Sequence, residues 1–174
     1  MVSLMVAIFV LSVLPLGLAF AAISDLVTMT IPNQISAIIL ASFLILAPFS
    51  GLVWPEIGMS LVAGLVVFGV CFLLFALNVM GGGDAKLLTV SAVWYGWDDS
   101  LLTFLVAVGF VGGAVTLVIL LLRSQANSVM AIGIPLPASL VTAKKIPYGI
   151  AIAIAGFLTF HQAPIYSMAI KAFY

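Results

Sequence analysis

Apolar residues run almost without a break from Leu4 to Ile23, and comparable runs recur along the chain, each closed by a short cluster of Pro, Gly, Asn or Asp. At a helical rise of about 1.5 Å per residue, about 20 apolar residues span the hydrocarbon core of a bilayer. The pattern predicts spans at 4–24, 34–51, 57–79, 85–97, 101–122 and 146–160. Breaks fall at Pro32-Asn33, between Pro48 and Pro55, at Gly81 to Gly83, at Asp98-Asp99 and between Pro135 and Pro137. The fourth span is short. It runs from Asp84 through Leu87, Leu88 and Val93 to Trp94, Tyr95 and Trp97, and its aromatic end reads as an interfacial belt. The expected fold is all-α: a polytopic membrane bundle of about six transmembrane helices.

Composition strengthens that reading. Hydrophobic residues make up 66% of the chain and charged residues 6%, where a soluble domain carries about a quarter. One domain over residues 1–174 is expected, with no separate soluble or zinc-binding domain. Net charge of zero gives no sign of nucleic acid, and the single Cys71 cannot build an internal disulfide or a cysteine-based metal cluster, so neither a metal nor a cofactor is expected. The first apolar run lacks the basic flank of a secretory signal and is long enough to span, so it reads as a helix.

Basic residues in short loops accumulate on the cytoplasmic side. Six spans with the N-terminus outside put Lys86, Arg123, Lys144 and Lys145 inside, and leave only two acids on that face, Asp25 and Asp84. Glu56, Asp98 and Asp99 then lie outside. Asp25 closes the first span and Asp84 opens the fourth, which brings two distant carboxylates to one depth. An acid near bilayer depth is costly and marks a functional site or a face turned to protein or water. Two neighbouring carboxylates share a proton and can activate water against an amide carbonyl without a metal or a nucleophilic side chain. A simpler role stands beside this one: Asp84 suits a helix N-cap, whereas Asp25, at a helix C-terminus, opposes the helix dipole. Asn33 reads as the N-cap of the second span, after Pro32.

These residues carry a resemblance. Asp25 followed by Ile31-Pro32-Asn33, then Gly81-Gly82-Gly83-Asp84-Ala85-Lys86 two spans later, then Lys145-Ile146-Pro147-Tyr148-Gly149 before the last span, resembles the type IV prepilin peptidases, membrane aspartyl proteases of the GxGD class. The resemblance covers nearly the whole chain. It implies Asp25 and Asp84 as the catalytic pair, Gly81 and Gly83 shaping the approach to Asp84, and Pro32 and Asn33 as supporting motif residues. It further implies a prepilin substrate whose leader is cleaved at the cytoplasmic face of the bacterial inner membrane, and the compact length is similar to that of the short enzymes linked to Flp-type (Tad) pili. Larger relatives carry an insertion with paired Cys-x-x-Cys motifs and methylate the new N-terminus. This chain has neither, so a peptidase alone is expected. Relatives often place Arg or Lys between the first Asp and Ile-Pro-Asn, where this chain has Val27, Thr28, Met29 and Thr30.

A proton-coupled transporter using two acids as a relay is the rival reading. It would call for a polar path, yet spans two, three and five contain no acid or base in their interiors. Gly109 and Gly113 form a small-xxx-small pair that suits helix packing. Residues 124–142 read as a moderately apolar loop lying along the membrane or over the site. The sequence does not define an oligomeric state.

Overall fold

The computed structural model describes residues 3–125 and 146–173. Helices account for the described architecture: α1 (Leu4–Thr28), α2 (Asn33–Leu46, continued by a 3-10 turn over Ala47–Phe49), α3 (Trp54–Ala76), α4 (Gly82–Tyr95), α5 (Asp99–Ser124), α6 (Tyr148–Thr159) and a short α7 (Pro164–Ile170). The first six fall where the hydropathy predicts spans. Three of them, α1, α3 and α5, have the length and apolarity to cross a membrane alone. The segment from Tyr148 to Ile170 passes only as a pair bent by 55° after Gln162, and α2 and α4 are shorter than a full crossing. The predicted loop at 124–142, with Lys144 and Lys145, lies almost entirely outside the described residues.

The chain is an all-α membrane helical bundle. Its outside is apolar, with Phe20, Ile38, Leu65, Leu73, Phe110 and Leu121 among the many large side chains left exposed, as a lipid-facing surface requires. Burying apolar groups gives helices little drive to associate in lipid, so close packing and interhelical hydrogen bonds must hold them. Both are present around α4. This helix packs on α3, α2 and α6, and nine of its 14 residues are buried. Val93 sits where a Cβ on Gly64 of α3 would be, so only glycine lets the two backbones approach. Trp94 donates its indole N–H to the Ile39 carbonyl of α2 at 3.1 Å, and the Tyr95 hydroxyl lies 2.7 Å from Thr159 Oγ1 of α6.

This corrects the aromatic belt. Trp94 is 1% exposed and Tyr95 0%, both inside the bundle, and only Trp97, at 55%, faces outward. Tyr95 stacks on Phe104 of α5 with ring centroids 4.3 Å apart. The glycine face of α5 also shifts. No described atom comes near a Cβ built on Gly109 or Gly113, whereas Gly112 packs against the Tyr148 ring.

Candidate active site

Three connections meet at one end of the bundle: the α1–α2 link, the α3–α4 link and the residues entering α6. Each carries one of the sequence motifs.

Helix α1 runs past its expected end, so Asp25 lies in its last turn and is buried, 5% exposed. The chain leaves the helix through Met29 in the left-handed region (φ 56°), whose N–H returns to the Asp25 carbonyl. Hydroxyls brace the exit from the helix. Ser24 Oγ donates to the Thr30 carbonyl at 2.8 Å, and Thr28 Oγ1 donates to the Ser24 carbonyl at 2.8 Å. The last carbonyls of a helix commonly take such partners from basic side chains. Here Thr28 back-bonds to its own helix and Ser24 holds the Thr30 carbonyl just beyond it, so two hydroxyls brace the turn that leads to Ile31.

Helix α4 begins at Gly82 with Gly81 as its N-cap, so Asp84 is a first-turn residue and not the cap itself. Its Oδ2 folds back over Gly81, 2.7 Å from the position a Cβ there would take. A carboxylate in the first turn faces the positive end of the helix dipole. Gly83 is held to glycine by a different neighbour. Its Cβ would stand 3.1 Å from Ile31 Cβ and 3.4 Å from the Ile31 nitrogen, so the Ile-Pro-Asn segment lies directly on the glycine run.

Asn33 also departs from expectation. Pro32 occupies the N-cap position of α2 with no side-chain cap, while Asn33 Oδ1 accepts from Lys86 Nζ at 2.8 Å. The first two motifs are thereby tied to one another. Lys86→Met and Asn33→Ala are expected to lower activity by similar, modest factors, with a double variant no worse than either alone, as for partners sharing one hydrogen bond of ~0.5–1.5 kcal/mol. A double-mutant cycle on cleavage rate and thermal stability checks this.

The third motif reaches the first acid. Gly149 donates its backbone N–H to Asp25 Oδ2 at 2.7 Å, from the first turn of α6 behind the N-cap Pro147.

An open cleft of about 490 Å³ joins these parts, lined by Asp25, Met29, Thr30, Ile31, Asn33, Gly81 to Asp84, and Ile146. The predicted site residues thus gather on one wall system, with Pro32 immediately beside it in the chain. A second cavity of about 450 Å³ lies against Asp84 from the α3 side, among Leu74, Asn78 to Gly81, Ile146 and Tyr148. Asp84 therefore stands between two spaces, and Asp25 faces one. Among the described residues no group of three or more His, Cys, Asp or Glu is placed to hold a metal ion.

Residues 12–117 match the type IV leader peptidase family, more than half of the chain. The protein belongs to that family and is a leader peptidase of multi-pass membrane type. No curated protein and no solved structure matches the chain. The match takes in both acids, the Ile-Pro-Asn segment and the glycine run, and ends before Gly149.

Proposed function

We propose that the chain is an aspartyl-dyad peptidase in which Asp25 and Asp84 hydrolyse the leader of a Flp-like type IV prepilin. The observation that carries this reading is that the two acids, from different helices, line one cleft. In the working state one carboxyl holds a proton and its partner is ionised. The ionised group takes a proton from a water in the cleft as that water attacks the scissile carbonyl. The protonated group hydrogen-bonds the carbonyl oxygen and protonates it as the tetrahedral intermediate forms. Return of a proton to the leaving amine then frees leader and mature N-terminus.

Support for a cytoplasmic site comes from the position of charge. Lys86 lies at the cleft through Asn33, and Arg123 ends α5 on the way to the residues that enter it. Glu56, Asp98 and Asp99 line cavities at the other ends of α3 and α5. We read the whole chain as one peptidase domain in the bacterial inner membrane. With one cysteine and no Cys-x-x-Cys insertion, it performs no N-methylation in this proposal.

The relay reading fits less well, because both acids sit at one end of the bundle. Co-expression with a Flp-type prepilin tests the proposal. The wild-type chain should convert the prepilin to its shorter form, and Asp25→Asn or Asp84→Asn, present in the membrane at normal abundance, should not. Normal cleavage by either variant would remove the dyad.

A further inference from the structure

The third motif has no part in the dyad chemistry, yet its Gly149 reaches Asp25 with a buried hydrogen bond from 124 residues further along the chain. We infer that Gly149 is the positioning residue for Asp25: its backbone N–H fixes Oδ2, and so sets the direction in which the rest of the carboxylate meets the cleft. The inference rests on the dyad reading and adds to it how one half is held.

Three observations converge. The bond is short, 2.7 Å, and buried, where a backbone donor to a carboxylate is worth most. Any side chain at 149 would crowd this contact. A Cβ there would stand 2.8 Å from Asp25 Oδ2, 3.0 Å from Asp25 Cβ and 3.0 Å from Ile31 Cδ1. Lastly, Asp25 sits in the last turn of α1, where the exposed carbonyls disfavour a negative charge. The first turn of α6 meets it there with N–H groups of opposite sense. One helix start offsets the electrostatic cost of another helix's end.

Asp84 folds back over Gly81 in the first turn of α4. Asp25 depends on a tertiary contact made by residues beyond the family match, and α6 is itself seated by Tyr148 packing on Gly112 of α5. The Asp25 half of the site is complete only when α6 has docked against α1 and α5.

Gly149→Ala tests this with purified enzyme and prepilin in detergent. A displaced catalytic group should lower kcat by about 10²-fold while KM stays within about twofold, since the contact is made to the acid and not to the substrate. Packing is separated from positioning by repeating the substitution in an Ile31→Val background, which removes the Ile31 Cδ1 contact and leaves both Asp25 contacts. The kcat loss should persist there. Its full recovery would assign the glycine to packing on Ile31 and overturn the inference, as would an unchanged kcat in Gly149→Ala.

A spectroscopic reading does not require that variant to fold. In [15N]glycine-labelled wild-type protein, the Gly149 amide proton should resonate downfield. It should move upfield in Asp25→Asn, where the acceptor loses its charge, and hold its place in Asp84→Asn. A Gly149 resonance indifferent to Asp25→Asn overturns the proposal. If the wild-type chain cleaves prepilin and Asp25→Asn does not, yet Gly149→Ala turns over normally, the positioning role alone falls. If the wild-type chain leaves prepilin uncut, it is the dyad reading that fails.

Discussion

Asp25→Asn combined with Asp84→Asn is expected to cleave prepilin no more slowly than either single variant, each being down by at least about 10³-fold. The reason lies in how a dyad works. Each carboxyl needs the other to hold or surrender the shared proton, so removing one leaves the second with no partner to serve. A second loss then finds nothing further to disable. Two acids acting independently, one as catalyst and one as a helix-orienting charge, would instead give losses that multiply. Both substitutions preserve shape. Asn at 25 can still accept from the Gly149 N–H, and Asn at 84 fits the same space over Gly81, so membrane abundance and thermal stability should stay near wild type. The measurement is single-turnover cleavage of purified prepilin by the two single variants and the double variant at matched enzyme concentration. Multiplying losses would contradict a shared mechanism.

Much of this site could be read from the chain because an acid in an apolar run is costly and thus conspicuous. Asp25 and Asp84 stood out on that ground, and the breaks at Pro32 and at Gly81 to Gly83 placed them at helix ends. What hydropathy could not supply was which apolar surface faces lipid and which faces another helix, since both are apolar. Hydropathy therefore reads Trp94 and Tyr95 as interfacial, although both are buried inside the bundle. The same blindness put helix packing at Gly109 and Gly113, while the contact forms at Gly112, where the Tyr148 ring arrives from a segment far along the chain. Asn33 and Gly149 show the limit of local rules. An Asn after Pro suits a cap, but Lys86 claims its side chain. A Gly at the start of a helix looks like a loose turn until Asp25 is brought against it. Motif order pointed to both residues, and only the folded chain gives them a physical task.

Trp94→Ala is expected to destabilise the bundle by about 3–5 kcal/mol, the usual cost of truncating a buried aromatic side chain to alanine, while leaving the chemistry of each folded molecule intact. The indole is enclosed by Phe43 of α2 at 5.7 Å between ring centroids and by Tyr166 of α7 at 6.2 Å. Removing it opens a void among three helices and also withdraws the donor from the Ile39 carbonyl. That carbonyl can still serve its own helix, so the larger share of the loss is packing. In lipid, packing is the main force holding these helices together, which leaves little to compensate. The site should nonetheless survive in the folded fraction. Trp94 lies ten residues beyond Asp84 on α4, about 15 Å along a helix axis, and is not among the residues lining the cleft. Thermal or denaturant unfolding in detergent should therefore show a large fall in midpoint, with kcat per correctly folded molecule near wild type at low temperature. Trp94→Phe, which keeps the ring and gives up the indole N–H, should recover most of the stability. If it recovered little, the hydrogen bond to Ile39 would outweigh the packing, and α2 would be held to α4 chiefly by that single polar contact.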